Sequence, residues 1–205
     1  MNGNEEARSV IDVSGLPTIA FGPRNITWLG NLLYMTIEGV MFALVIASYF
    51  YLRTRSETWP PAPELPPYLW YGLASGIVLL LSIIPARLAQ RNAFRQNRSG
   101  IQISLIVLAL FGAALIILRI FEFTALNCSW TTNGYASCIW VLLGLHSGHL
   151  ATEWIETLSV LGISFTDKLE GTRVPDVAIN SDYWYFVVIT GIIADFIIYG
   201  TTRLM

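Results

Sequence analysis

The stretch IQISLIVLALFGAALIILRIFEFTAL, which covers Ile101–Leu126, decides the fold. It contains two charged residues, Arg119 and Glu122, and no proline. A run of roughly 18 or more apolar residues with few charges is long enough to cross the hydrocarbon core of a bilayer as a helix. Because a backbone in lipid must satisfy its own hydrogen bonds, this stretch is predicted to be a transmembrane α-helix.

Four further runs in the chain have the same character. The five predicted spans are Trp28–Leu52, Tyr68–Ala86, Ile101–Leu126, Ala136–Phe165 and Tyr183–Thr202. None of them shows the alternating polarity of the short strands of a membrane barrel. We therefore predict an all-α polytopic membrane protein. A bundle of five transmembrane helices occupies residues 28–205 and follows a polar N-terminal segment, residues 1–27.

The composition agrees with a membrane protein and excludes a soluble globular enzyme and a disordered chain. Of the 205 residues, 54% are hydrophobic and 13% are charged, whereas an average soluble protein has roughly 25% charged residues. The formal net charge of -2 provides no basic surface, so nucleic acid is not expected as a partner. Two histidines and two cysteines limit the metal chemistry that the chain could support.

The basic residues predict how the bundle is oriented. The N-terminal segment, the second loop and the fourth loop together carry eight arginines and lysines, and the opposite side carries three. The positive-inside rule places the side with eight in the cytoplasm, so we expect the N-terminus inside and the C-terminus outside. The aromatic stretches Tyr49-Phe50-Tyr51 and Tyr183-Trp184-Tyr185-Phe186 lie near predicted span ends and are interpreted as interfacial belts.

Ionisable side chains inside the spans are candidate functional residues, because a charge in hydrocarbon is costly. They are Glu38 in the first span, Arg119 and Glu122 in the third, His146, His149, Glu153 and Glu156 in the fourth, and Asp195 in the fifth. Arg119 and Glu122 are close enough in sequence to pair on one helix face. Glu38 and Asp195 have no partner on their own helix, so each must be protonated, paired across helices or exposed to a cavity.

The fourth span carries a polar stripe, His146, His149, Glu153 and Glu156, whose spacings of 3, 4 and 3 place all four on one helix face. The stripe could be a hydrogen-bond seam within the bundle, a proton or ion pathway, or a metal site. We favour the seam and expect His149 or Glu153 to bond to another helix. A di-iron site in a bundle needs Glu-x-x-His from each of two helices, and no other span supplies a histidine. The chain is therefore expected to bind no haem or metal.

The two cysteines lie on either side of a polar segment that contains the turn dipeptide Asn133-Gly134. The predicted topology places Cys128 and Cys138 outside the membrane, in an oxidising compartment. We predict a disulfide between them. The alternative is two free thiols that pack as small apolar side chains.

Four local patterns then occur in order along the chain. They are Glu38-Gly-Val-Met-Phe with the later Trp59-Pro60-Pro61, Arg119-Ile-Phe-Glu122-Phe123, Gly144-Leu-His146-Ser-Gly-His149 and Tyr183-Trp184-Tyr185-Phe186-Val187. Together they resemble subunit III of the haem-copper terminal oxidases, in its short five-helix bacterial form. The resemblance runs from about residue 28 to the end of the chain.

The resemblance implies a non-catalytic subunit of a proton-translocating respiratory oxidase in a bacterial inner membrane. Its partners would be other oxidase subunits, above all the catalytic subunit I, which holds the haems and copper. Glu38 would be a buried carboxyl associated with carbodiimide reactivity and bound phospholipid, and Glu122, His146 and His149 also match family positions. The family subunit is thought to support proton uptake and the stability of the catalytic subunit. A cytochrome c oxidase is favoured over a quinol oxidase.

One departure keeps alternatives open. The last helix of the family usually contains Trp-His-Phe-Val-Asp, whereas this chain has Trp184-Tyr185-Phe186-Val187-Val188, without the histidine and the aspartate. That difference admits a quinol oxidase subunit III or an accessory subunit of a nitric oxide reductase. A different class is a small stand-alone proton or ion carrier that uses the fourth-span stripe with Glu38 and Asp195. Transporters often show internal repeats and broken helices, and the sequence shows neither.

Overall fold

The computed structural model describes residues 20–166, 169 and 173–204. Its long helices are α1 (Ile26–Arg53), α2 (Leu69–Phe94), α3 (Arg98–Thr124), α4 (Gly134–Ser164) and α5 (Val174–Asp195). A π-helical turn, Phe196–Gly200, continues α5 into the short α6 (Thr201–Leu204), and a 3-10 turn, Gly22–Arg24, precedes α1. Residues 1–19 and Lys168, which enter the orientation argument, lie outside the described residues.

The predicted all-α membrane fold is confirmed. Four helical segments are long and apolar enough to cross a membrane: α1, α2, α3 and the continuous stretch Val174–Leu204. The fourth helix, α4, has 31 residues, a length of about 46 Å, which exceeds the roughly 30 Å of a hydrocarbon core. Its histidines and glutamates lower its mean hydropathy. It packs against α1, α3 and α5, so we treat it as the fifth crossing. The orientation of the termini stays a prediction.

Asparagine side chains start three of the helices. Asn25 accepts a hydrogen bond from the backbone N–H of Thr27, Asn97 from Gly100, and Asn133 from Ala136. Each asparagine therefore satisfies one of the backbone donors that a helix leaves unpaired in its first turn. The Asn133-Gly134 pair read as a turn signal is the N-cap and first residue of α4.

Helix α1 lies at the edge of the bundle. It packs against α4 and α5, while α2 packs against α3 and α5 on the other side. The buried residues of α1 are three, Glu38, Phe42 and Tyr49, so most of its surface faces outward. His149 of α4 and Tyr183 of α5 contact this edge helix at Glu38.

Helices α2 and α5 are longer than predicted, because polar residues that resemble loop sequence pair with each other inside the bundle. Helix α2 contains the buried Pro85 and continues past Ala86 to Phe94, and α5 begins at Val174 instead of Tyr183. Asp182 of α5 accepts hydrogen bonds from Gln90 Nε2 at 2.6 Å and from Trp28 Nε1 at 3.1 Å. Those two bonds hold α1, α2 and α5 together at this end of the bundle.

The aromatic side chains at the other end form a buried cluster and not a simple interfacial belt. Tyr49, Trp59 and Tyr135 are buried, and the ring centroids of Trp59 and Tyr135 lie 4.9 Å apart. Trp59 Nε1 donates to the hydroxyl of Tyr49 at 2.7 Å, and the same hydroxyl lies 2.6 Å from Thr201 Oγ1. The segment that contains Trp59-Pro60-Pro61 is therefore fastened to α1 and α6.

The predicted disulfide between Cys128 and Cys138 is not formed, and both residues are free thiols. Both side chains are half-buried and pack against the aromatic cluster described above. The carbonyl of Cys128 also accepts a hydrogen bond from Trp140 Nε1 at 3.0 Å. Burial raises the pKa of the Cys128 thiol to about 11. These residues are held by packing against the aromatic cluster and not by a bond between the two sulfurs. This agrees with the alternative of two free thiols that pack as small apolar side chains.

Candidate functional site

Two groups of buried polar side chains lie inside the bundle. The Glu38 cluster joins α1, α4 and α5 and has two separately hydrogen-bonded parts, Glu38 with His149 and Tyr183, and Asn180 with Glu153 and Thr157. The Arg119 cluster consists of Arg119, Glu122 and Asp195, and it joins α3 to the end of α5. Among the described residues, no hydrogen bond or ion pair connects the two clusters.

Glu38 is paired across helices, which was one of the three possibilities for an intramembrane carboxyl without a partner on its own helix. The residue is 4% exposed. Its Oε1 lies 3.0 Å from His149 Nε2 on α4, and its Oε2 accepts a hydrogen bond of 2.5 Å from the hydroxyl of Tyr183 on α5. Tyr183 was interpreted from sequence as part of an aromatic belt, and its contact with Glu38 was missed.

The contact between Glu38 and His149 holds one proton. His149 Nδ1 lies 2.6 Å from the carbonyl oxygen of Leu145, which can only accept, so Nδ1 is the donor there. A neutral imidazole then presents Nε2 as an acceptor, and Glu38 must carry a proton to bond to it. In the other state, Glu38 is ionised and the imidazole carries protons on both nitrogens. Both states place one proton between Nε2 and Oε1.

A shallow groove reaches this pair from the surface between α1 and α4. It has a volume of about 290 Å³ and is lined by Tyr34, Glu38, Gly144, Leu145, Gly148, His149 and Thr152. The glycines widen it, because a Cβ added at Gly144 or Gly148 would meet no atom of the described residues within 4 Å. Tyr34 stacks on Tyr183, with ring centroids 5.9 Å apart. Glu38 therefore lies at the base of an opening on the outer face of the bundle.

The remaining part of the polar stripe on α4 divides between the core and the surface. Glu153 is fully buried, and its Oε1 accepts a hydrogen bond of 2.6 Å from Asn180 Nδ2 on α5. His146 is also fully buried, and its Nε2 lies 2.9 Å from the carbonyl of Val187. Glu156, in contrast, is exposed. The prediction that His149 or Glu153 bonds to another helix is confirmed for both residues.

The Arg119 cluster confirms the predicted pair on α3 and adds a partner from α5. Arg119 Nη1 donates to Glu122 Oε2 and lies 3.1 Å from Asp195 Oδ1. Arg119 is 2% exposed, Glu122 is 0% exposed and Asp195 is 8% exposed. Asp195, like Glu38, is thus paired across helices.

Trp184, another residue of the stretch that was interpreted as a belt, is a core residue. It is 0% exposed, and its Nε1 donates to Ser82 Oγ on α2 at 2.8 Å. The motif that begins at Tyr183 therefore reaches α1 through Tyr183 and α2 through Trp184. No periodicity in the sequence distinguishes these buried aromatic residues from interfacial ones.

Within the described ranges, no three histidine, cysteine, aspartate or glutamate side chains come together in a way that could hold a metal ion. The two histidines lie in the middle of α4, and the cysteines lie at its start and in the preceding loop. That the chain binds no haem or metal stays a prediction.

Comparisons with known proteins point to one family. A protein named cytochrome c oxidase subunit 3 from Thermostichus vulcanus is 27% identical over 85% of this chain and 87% of its own length. The protein of the same name from Synechocystis is 27% identical over 87% of this chain and 77% of its own length. That from Bacillus subtilis is 25% identical over 84% of each chain. No model of a protein family matches the chain. The relatives confirm the resemblance to the subunit III family.

Proposed function

We propose that this chain is subunit III of a haem-copper terminal oxidase, a cytochrome c oxidase, in a bacterial inner membrane. It has no active site of its own and lies beside the catalytic subunit I, which holds the haems and copper. The observation that carries the proposal is the meeting of Glu38, His149 and Tyr183. These residues come from three of the four sequence motifs and from three different helices, and they form one hydrogen-bonded cluster.

The Glu38 cluster supports a role in proton uptake and in stability of the complex. The contact between Glu38 and His149 holds a proton that can reside on either group, and a groove connects this contact to the outer face of α1 and α4. A phospholipid lying in that groove would cover Glu38. The same contacts join the edge helix α1 to the bundle. The cluster is suited both to hold a proton near the catalytic subunit and to fix α1 against it.

The separation of the two polar clusters speaks against a stand-alone carrier. Such a protein needs polar groups that continue from one side of the membrane to the other. Across the part of the chain that the structure describes, no hydrogen bond links the Glu38 cluster to the Arg119 cluster. A quinol oxidase subunit III and an accessory subunit of a nitric oxide reductase remain the alternatives, and they differ from the proposal in the activity of the complex.

Purification of the tagged chain from its native membrane in a mild detergent tests the proposal. We expect it to co-migrate with a haem-containing subunit and the complex to oxidise reduced cytochrome c. A haem complex that oxidises only quinol, or that reduces nitric oxide, would replace the proposal with the corresponding alternative. A colourless oligomer of this chain that moves protons in vesicles would overturn it in favour of the carrier.

A further inference from the structure

A second groove lies on the far side of the bundle from Glu38, between α2 and the end of α5. It has a volume of about 300 Å³. Its walls include Gly72, Gly76 and Ile77 of α2, and Asp195, Phe196 and Tyr199 from the end of α5 and the π-helical turn. Most of this lining is apolar. Tyr199 covers Gly72, where an added Cβ would lie 2.3 Å from its ring, whereas Gly76 is open to the groove and would take a Cβ without a clash.

Asp195 has a buried acceptor without a hydrogen-bond partner at the wall of this groove. Its Oδ1 is used by Arg119 at 3.1 Å, but Oδ2 has no hydrogen-bond partner among the described residues, although the side chain is nine-tenths buried. A Cβ added at Gly76 would lie 3.8 Å from this Oδ2, so the buried oxygen lies directly beneath the groove wall at this glycine. The hydroxyl of Tyr199 is also buried and has no hydrogen-bond partner among the described residues. Two buried polar groups beside one apolar groove therefore lack hydrogen-bond partners among the described residues.

The charges of the Arg119 cluster indicate what kind of group would satisfy Asp195. One guanidinium faces two carboxylates, Glu122 and Asp195. Ionised, the three groups carry an excess negative charge, and the unpaired Oδ2 of Asp195 is an acceptor. The complementary occupant is a side chain with an N–H or O–H donor, because a lone acceptor in hydrocarbon is costly and a donor removes that cost.

The depth of Asp195 decides between a lipid and a protein occupant. Gly76 is the eighth residue of α2, so it lies about 10 Å along the axis from the start of that helix. Asp195 lies about 14 Å along the axis from Leu204, the end of α6. The polar head of a phospholipid stays at the interface, and its acyl chains have no donors. A polar side chain on a transmembrane helix reaches this depth, and the open glycine at position 76 allows a helix backbone to approach closely.

We propose that this groove is the docking site for a transmembrane helix of another subunit, and that a donor side chain on that helix hydrogen-bonds to Asp195. The inference rests on the proposed function in one respect, since it takes the chain to be part of a complex. The π-helical turn that follows Asp195 shapes one wall of the site. Turns of this kind are frequent at functional positions.

Photo-crosslinking in the tagged, membrane-purified complex tests the docking site. A photoreactive amino acid replaces Ile77, which lines the groove and is 49% exposed, or, as the matched control, Leu110 of α3, which is 66% exposed. We expect the probe at position 77 to attach to one transmembrane peptide of another subunit, with a donor side chain within one helical turn of the attachment point. The probe at position 110 should attach to lipid.

The same sample separates failure of the docking site from failure of the proposed function. Lipid adducts or a second copy of this chain at position 77, in a complex that still contains haem, would overturn the docking site alone. A sample without haem, in which position 77 finds no other subunit, would overturn both.

A pair of glycine variants provides an independent measurement. Gly76→Leu places a branched side chain in the groove, whereas Gly162→Leu adds the same side chain at an exposed position near the end of α4, where an added Cβ meets no described atom within 4 Å. We expect Gly76→Leu to lower the haem that co-purifies with the chain about tenfold and Gly162→Leu to leave it within about twofold. Equal haem content in the two variants would overturn the proposal. If Gly76→Leu impairs folding, the crosslink from position 77 decides.

Discussion

His149 on α4 and Glu38 on α1 face each other across the bundle, with Nε2 and Oε1 3.0 Å apart. The geometry on both sides of this contact is fixed. His149 Nδ1 is held by the carbonyl of Leu145 at 2.6 Å, and the second carboxyl oxygen of Glu38 is held by the Tyr183 hydroxyl at 2.5 Å. One proton must therefore lie between the two residues, and removing either partner leaves a buried polar group without its hydrogen bond.

Replacing Glu38 by leucine should destabilise the chain. The change leaves His149 Nε2 and the Tyr183 hydroxyl unpaired, and we expect a loss of about 3 kcal/mol, with Glu38→Gln losing less because its amide oxygen still accepts from Tyr183. Thermal unfolding of the purified protein in detergent, followed by tryptophan fluorescence, measures the difference. Glu57→Gln, at an exposed position in the loop after α1, is the control. Equal melting temperatures for Glu38→Leu and the control would contradict the prediction.

Removing the imidazole should increase the reaction of Glu38 with a hydrophobic carbodiimide, which requires a protonated carboxyl. In the His149→Leu variant the imidazole no longer competes for the shared proton, and a carboxylate that faces an apolar side chain inside the bundle is costly. We expect more labelled Glu38 in this variant than in the unmodified chain at the same pH, as measured by mass spectrometry of the peptide that contains it. Reduced labelling would show that the imidazole does not share the proton. Glu153, which is buried and bonded to Asn180, provides an internal reference in the same digest.

The apolar runs predicted α1, α3 and α4 to within a few residues, because long stretches without charge leave little choice in lipid. They also predicted α2 and α5, but made both too short, because Gln90 and Asp182 hydrogen-bond to each other inside the bundle and so allow polar residues to continue a helix. The intramembrane ionisable residues were also found from sequence, since each is conspicuous in an apolar run. The sequence did not show which helix supplies each partner, because the hydrogen bond from Tyr183 to Glu38 joins residues 145 positions apart in the chain.

A single methyl group at Gly191 should disturb the buried His146. A Cβ added there would lie 2.5 Å from His146 Nε2, the atom that contacts the carbonyl of Val187, and 2.8 Å from Leu79 Cδ1. We expect Gly191→Ala to destabilise the chain by about 1–3 kcal/mol through overpacking. Gly148→Ala is the matched control on α4, because its Cβ meets no described atom within 4 Å. Thermal unfolding of both variants in the same detergent compares them, and a Gly191→Ala chain as stable as the control would refute the packing at this site.

Removing Arg119 alone should cost more than removing the whole charge cluster. Arg119→Met leaves the carboxylates of Glu122 and Asp195 buried without their cation, and breaking a buried pair in this way typically costs about 3–5 kcal/mol. Adding Glu122→Gln and Asp195→Asn removes the uncompensated charges, so the triple variant should recover much of the loss. The yield of folded protein and its melting temperature test whether the triple variant is more stable than Arg119→Met. A triple variant that is less stable than Arg119→Met would show that the carboxylates have other partners.

The thiol of Cys128 should react slowly with alkylating reagents and should need no prior reduction. Burial raises its pKa from the ordinary value of a thiol to about 11. Since the thiolate is the reactive form, its fraction at pH 8 should be about 100-fold below that of an unshifted thiol. The rate should rise about tenfold with each pH unit until the pH approaches that raised pKa. Iodoacetamide labelling of a Cys138→Ser variant, native and unfolded in detergent, measures the ratio. A native rate equal to the unfolded rate at pH 8 would contradict the burial of this thiol. A Cys128 in the unmodified chain that reacts only after reduction would restore the disulfide that the sequence suggested.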